Sequence, residues 1–183
     1  EIFNIWMNLL KRINNSILWL KVSNELAKKN ILSEAQKRNV SSDKIIFAEK
    51  TNLEDHLSRY KLADLFLDTS PYGAHTTCAD SLWSGLPVLT KRGGTFSSNV
   101  SSSLLSAVGL DDLIAQNNND YENMAINFAS NIENLLAVKK RLDENKKNKN
   151  LFKTKIFTKN IEKAYKIIHE RYLDNLPPEN INI

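Results

Sequence analysis

Between Asp68 and Thr90 the chain reads DTSPYGAHTTCADSLWSGLPVLT, and several of these side chains have the types and spacing to hold an anionic ligand. The pattern is strand, turn, helix, strand, with His75, Thr76 and Thr77 where the turn becomes the helix. The first amides of a helix have no intrahelical acceptor, so those near Thr76 and Thr77 can donate to phosphate, with both hydroxyls as further donors. Asp80 follows on the same face, where its carboxylate can accept from sugar hydroxyls such as those of ribose. A plainer alternative stands beside this one: Thr76 as a simple N-cap, His75 as a turn residue and Asp80 as an exposed carboxylate.

Other groupings carry weaker signals. His56 and Arg59 share a helix face, so Arg59 could bind a carbonyl or phosphate while His56 stacks on a planar base; a solvated surface pair is the alternative. Gly93-Gly94, followed by Thr95, Ser97, Ser98 and Asn99, could offer backbone amides to phosphate or be a merely polar loop. It matches neither a GxGxxG fingerprint nor a Walker loop, which argues against ordinary NAD and ATP sites. There is no Asp-x-Asp for a divalent metal on a diphosphate, no zinc-spaced His/Cys cluster and no Gly-x-Ser-x-Gly elbow. Cys78 is expected to pack inside its helix, and His169 to lie on the surface. Trp6, Trp19 and Trp83 fall on apolar stripes and read as core.

The elements that must position these residues alternate between two hydrophobic periods. Ile5, Leu9, Leu10 and Ile13 recur at helical spacing, and Ser16–Leu20 reads as a short buried strand. Ser23 could cap the next helix, which runs toward Arg38, and Lys44–Phe47 is a second strand. Asn52 can cap a helix with Glu54 and Asp55 in its first turn. Asp64–Asp68 is a third strand, Thr76–Ser84 a helix closed by Gly85, and Pro87–Thr90 a fourth strand. A helix from Asn99, a short strand at Leu113–Ala115 and helices near 120–130, 131–147 and 157–173 complete the reading. The last carries a stripe of Phe157, Ile161, Tyr165 and Ile168. Such alternation predicts βαβ units and a parallel sheet covered on both faces, its strands apolar because both sides are buried. Ligands of such sheets bind beyond the carboxyl ends of the strands, which here means segments 48–59, 69–80 and 91–99.

The whole chain has 183 residues, 42% of them hydrophobic and 25% charged, which fits a soluble domain with one core. No apolar run is long enough to span a bilayer, and the N-terminus lacks the marks of a signal peptide. A lone cysteine fits a reducing compartment, so a cytoplasmic location is expected. Much of the net charge of +4 comes from the segment 139–149. No aromatic residues interleave with its lysines, so it reads as a solvated helix end rather than a nucleic-acid patch. The chain lacks an initiator Met and is expected to start inside a longer protein.

Taken together, Asp68-Thr69, Pro71-Tyr72, His75-Thr76-Thr77, Asp80, Leu82-Trp83, Gly85, Pro87 and Thr90 resemble the signature of the O-linked N-acetylglucosamine transferases, most closely the bacterial members. Gly94, Phe96-Ser97, Val100 and Ser103–Leu105 continue the likeness, as do Gly109-Leu110, Leu113-Ile114, Tyr121-Glu122 and Leu151-Phe152. Upstream, Trp6, Leu10–Arg12, Ser16, Leu18–Leu20 and Ile45–Phe47 also fit. The resemblance implies a GT-B glycosyltransferase, and within it the C-terminal, Rossmann-like lobe that binds UDP. On that basis residues 1–118 would form the α/β core, its first strand missing, and 119–183 a helical C-terminal part. Thr76 and Thr77 would hold the diphosphate with His75 beside it, Asp80 the ribose, and His56 and Arg59 would flank the uracil.

The implied reaction is an inverting transfer of N-acetylglucosamine from UDP-N-acetylglucosamine to a protein Ser or Thr hydroxyl, with no metal or other cofactor. The expected partners are the UDP-sugar and an acceptor protein. The acceptor would be engaged by another lobe and by tetratricopeptide repeats outside this chain, with no nucleic acid and no membrane. No catalytic residue is expected within these residues, because the lysine that neutralises the leaving diphosphate would lie just upstream; the isolated lobe should be nearly inactive. One departure concerns the loop before His56. A basic residue of the family is Leu53 here, and Lys50 is out of register. The alternatives are a GDP-fucose protein O-fucosyltransferase, whose relatives typically carry threonine at the position of His75, and a non-catalytic nucleotide-sugar or interaction domain.

Overall fold

A computed structural model describes all 183 residues. Helix α1 (Ile2–Arg12) is followed by strand β1 (Leu18–Lys21), α2 (Glu25–Gln36), β2 (Ile45–Ala48), α3 (Leu53–Arg59) and β3 (Phe66–Leu67). Then come α4 (Thr76–Trp83), β4 (Val88–Lys91), α5 (Val100–Val108), β5 (Ile114–Ala115), α6 (Asn118–Ser130), α7 (Ile132–Asn148) and α8 (Thr154–Leu173). The expected elements are present with their ends moved by a few residues. Asn52 caps α3 as expected, accepting from the Asp55 amide at 2.8 Å. At α2 the cap is Asn24, which accepts from the Ala27 amide at 3.1 Å, and not Ser23. Gly85, with φ of +87°, closes α4 in the left-handed region that lacks a penalty only for glycine.

All strand pairings are parallel, but the strands form two ladders instead of one continuous sheet. In the first, Leu18 pairs with Ile45 and Lys21 with Ala48. In the second the order is β3-β4-β5. Strand β3 is only two residues long, and its flanking amides bond to β4, Phe66 N–H to Pro87 O and Asp68 N–H to Leu89 O, both at 2.9 Å.

Helices cover both faces of the three-stranded ladder. On one side Val88 packs with Cys78 and Leu82 of α4, Leu105 and Val108 of α5, and Leu135, Val138 and Leu142 of α7. On the other, Leu89 packs with Ile5 and Leu9 of α1 and with Tyr121 and Ala125 of α6. Val88, Leu89 and Thr90 are therefore all buried, as a doubly covered strand requires.

The β1–β2 ladder departs from that expectation. Leu18 and Ile45 pack on Met7 and Leu10 of α1 and Ala35 of α2, whereas Trp19 and Ile46, register partners on the opposite face, are 39% and 46% exposed. Trp83 is also exposed, at 54%, so neither it nor Trp19 is a core residue; Trp6 is partly buried at the edge of the α1–α2 cluster. The stripe on α8 lies on a helix with no buried residue at all. No helix is long and apolar enough to cross a membrane.

Candidate functional site

The carboxyl end of β3 opens into the loop Asp68–His75, which delivers the chain to the start of α4. That loop and the first residues of α4 line a pocket of about 420 Å³, whose walls include Asp68, Thr69, Tyr72, Gly73, His75, Thr76 and Thr77. The N-cap position of α4 belongs to His75, and no side chain caps the helix. Thr76 is therefore not the N-cap. The His75 carbonyl accepts from the Cys78 and Ala79 amides at 3.0 and 3.2 Å, while the amides of Thr76 and Thr77 have no protein acceptor. Both threonines are exposed, and neither hydroxyl is engaged within the chain. The helix start thus presents two N–H and two O–H donors to the pocket, at the end where the peptide dipoles favour negative charge.

His75 is held by three contacts. Its ring stacks on Tyr72 with centroids 5.1 Å apart and meets the edge of Phe96 at 6.0 Å. Its Nε2 lies 3.3 Å from the Ser97 carbonyl. A carbonyl only accepts, so Nε2 carries the proton and Nδ1 is left as the uncommitted ring nitrogen.

Asp80 is partly buried one turn into α4, outside the wall of that pocket. Its charge is close enough to raise the pKa of both His56 and Tyr60. On α3, Nη2 of Arg59 lies 2.6 Å from Nδ1 of His56, and Nη1 of Arg59 donates to the Glu49 carbonyl at 2.8 Å. The Arg59 guanidinium also sits 5.9 Å from the Trp19 ring centroid. With Nδ1 accepting from Arg59, neutral His56 carries its proton on Nε2, which faces the Tyr60 hydroxyl at 3.4 Å. Burial, then the positive charges of Arg59 and Lys21, push the His56 pKa below its ordinary value, with Asp80 opposing them.

The sequence-derived residues thus fall into two adjoining groups: His75, Thr76 and Thr77 at the pocket, and His56, Arg59 and Asp80 beside them. Part of the Gly93–Asn99 loop is engaged with itself. Its Gly93 amide donates to Asn99 Oδ1 at 3.3 Å, and its Thr95 amide to Ser98 Oγ at 3.0 Å, so these donors are spent within the loop. Tyr72, Phe96, Tyr60 and the buried Asp68 were assigned no role by sequence reasoning. The carboxylate of Asp68, directly at a strand end, was the one visible sign among them. Cys78 is buried as expected, and its thiol is pushed up to about 12 by burial. No group of three or more His, Cys, Asp or Glu side chains converges as a metal cluster.

Comparison with known proteins adds to this geometry. Residues 1–161 match the family model described as Glycosyl transferase family 41. The chain is 33% identical to a probable UDP-N-acetylglucosamine–peptide N-acetylglucosaminyltransferase, SEC, of Arabidopsis thaliana, over 100% of this chain and 19% of that protein. It is 27% identical to the UDP-N-acetylglucosamine–peptide N-acetylglucosaminyltransferase of Caenorhabditis elegans, over 97% of this chain and 16% of the relative. The chain therefore spans less than a fifth of the length of either relative. Among solved structures, a mutant O-GlcNAc transferase of Thermobaculum terrenum superposes with a TM-score of 0.84 at 24% identity, covering 90% of this chain and 32% of that one. That likeness supports the α/β fold expected of the C-terminal lobe of a GT-B enzyme.

Proposed function

The chain belongs to glycosyl transferase family 41, and from that premise we propose that it is the donor-holding lobe of a protein O-N-acetylglucosaminyltransferase. The observation that carries this reading is the uncapped start of α4, whose Thr76 and Thr77 amides open, without acceptors, onto the pocket at the end of β3. A diphosphate there would receive backbone and hydroxyl donors together, with His75 beside it. Asp80 would take the ribose hydroxyls, and His56 with Arg59 would flank the uracil. The order phosphate, ribose, base follows the path from the first turn of α4 to α3. The names of the curated relatives carry UDP-N-acetylglucosamine, which favours that donor over GDP-fucose.

In this reading a Ser or Thr hydroxyl of an acceptor protein attacks the anomeric carbon of N-acetylglucosamine from the face opposite UDP. The bond to the diphosphate breaks, the configuration inverts, and the hydroxyl proton passes to a base assigned to the rest of the longer protein. The chain's own contribution is to orient the donor and to stabilise the negative charge that grows on the departing diphosphate, through preorganised N–H and O–H donors and without a metal. Groups that position the acceptor are assigned to the rest of the longer protein.

Calorimetric titration of the 183-residue chain with UDP and with GDP tests the reading. UDP should bind, and GDP markedly less well. No heat of binding up to millimolar UDP would overturn it.

A further inference from the structure

We propose that Asp68 is the positioning residue of this site, setting the orientation of the loop that delivers Thr76 and Thr77 to the ligand. This inference rests on the reading of the α4 start as the diphosphate site.

Asp68 is 2% exposed and forms no ion pair with any basic side chain. A buried carboxylate without a counter-charge must be compensated by hydrogen bonds. Its Oδ1 accepts from the amides of Thr69 at 2.8 Å and Ala74 at 2.7 Å, closing the loop around itself. Its Oδ2 accepts from Thr90 Oγ1 at 2.6 Å, at the end of β4. The Asp68 main chain is fixed as well: its carbonyl accepts from the buried Tyr121 hydroxyl at 2.9 Å.

Ala74 is consequently held at both ends. Its amide is bound by Asp68, and its carbonyl accepts from Ser101 Oγ at 2.6 Å. The neighbouring Gly73 amide donates to the Ser97 carbonyl at 3.0 Å. A Cβ at Gly73 would come within 3.1 Å of Asp68 Oδ2 and 3.3 Å of the Ser97 oxygen, so the loop is drawn tight against the carboxylate. The next two residues are His75 and Thr76. The peptide planes that aim the free amides into the pocket therefore inherit their orientation from Asp68.

Charge and geometry make opposite predictions here. A carboxylate repels a nearby diphosphate, so losing the charge alone would tighten UDP binding. Losing the clamp would weaken it. Asp68→Asn removes the charge and keeps the clamp, because Oδ1 can still accept both amides while Nδ2 donates to Thr90 Oγ1. Asp68→Ala removes both.

In calorimetry with UDP, Asp68→Ala should weaken binding by about tenfold or more, and Asp68→Asn should restore it to within about threefold of the original. Amide hydrogen exchange on the ligand-free chain should quicken at Thr69 and Ala74, whose amides Asp68 accepts, in the alanine variant and stay unchanged in the asparagine variant. A folded Asp68→Ala chain with unaltered UDP affinity and unaltered exchange would overturn the inference. So would an asparagine variant as weak as the alanine one. Should Asp68→Ala not fold, Thr90→Val removes one clamp bond and should show the same changes in smaller measure; no change would count against the clamp. If the original chain fails to bind UDP, the diphosphate reading falls, while the exchange measurement still judges the loop.

Discussion

Nη2 of Arg59 lies 2.6 Å from Nδ1 of His56, so a guanidinium donates to the ring nitrogen that protonation would have to occupy. The pair is stable only with His56 neutral, and burial together with the positive charges of Arg59 and Lys21 acts in the same direction. His56 should therefore titrate below its ordinary 6.5, as NMR of its ring protons would read. The folded chain then binds this proton less readily than the unfolded one, and the His56 contribution to stability is present above 6.5 and lost as pH falls from there toward the folded value. Arg59→Ala should raise the His56 pKa. Asp80→Asn should lower it further, because the Asp80 charge pulls upward. Equal titration in both variants would contradict the arrangement.

Thr77→Val tests the phosphate site with little risk to the fold, since the threonine is exposed and its hydroxyl has no partner in the chain. Loss of a hydrogen bond to a charged group costs about 1.5–3 kcal/mol. UDP affinity measured by calorimetry should fall accordingly, with the melting temperature unchanged. Undiminished affinity would remove the diphosphate from this position.

Cys78 should be inert to thiol reagents in the native chain. Its side chain is fully buried, and burial pushes the thiol up to about 12, so almost no thiolate exists at neutral pH. Iodoacetamide at pH 8 should label it only after unfolding; rapid labelling of the folded chain would contradict the packing between α4 and α5.

Deletion of residues 154–183 should change the unfolding free energy by less than about 1 kcal/mol. Helix α8 contributes no buried residue, and the apolar clusters are built from α1 through α7. A large loss of stability in a denaturant titration would show that α8 does more than cover itself.

Much of this fold was legible because its determinants are local. The alternation of short apolar runs with helical spacing located all five strands, and Asn52 announced its helix through a cap that needs only three residues. The start of α4 was legible for the same reason. Where two good caps stood side by side, Ser23 and Asn24, local chemistry could not choose between them. Trp19 and Trp83 look apolar in any sequence, but burial depends on whether another element covers them. The Asp68 clamp was out of reach because it is closed by residues 22 and 53 positions away, at Thr90 and Tyr121. The Gly93 and Thr95 amides looked free in sequence because their acceptors are side chains of the same loop, fixed only once it folds.

The way α1 is shared between the two ladders bears on how the chain comes apart. Met7 and Leu10 belong to the cluster under β1 and β2, while Ile5 and Leu9 belong to the cluster under β4 and α6. The ladders exchange no strand pairing, so this helix is the main mechanical coupling between them. The two clusters thus have one helix in common, and regions packed in this way are expected to open as separate units. A disturbance confined to the β1–β2 unit would melt the strands that precede and anchor His56 and Arg59, while leaving the α4 start and its clamp folded. A disturbance within α1 would release both units at once.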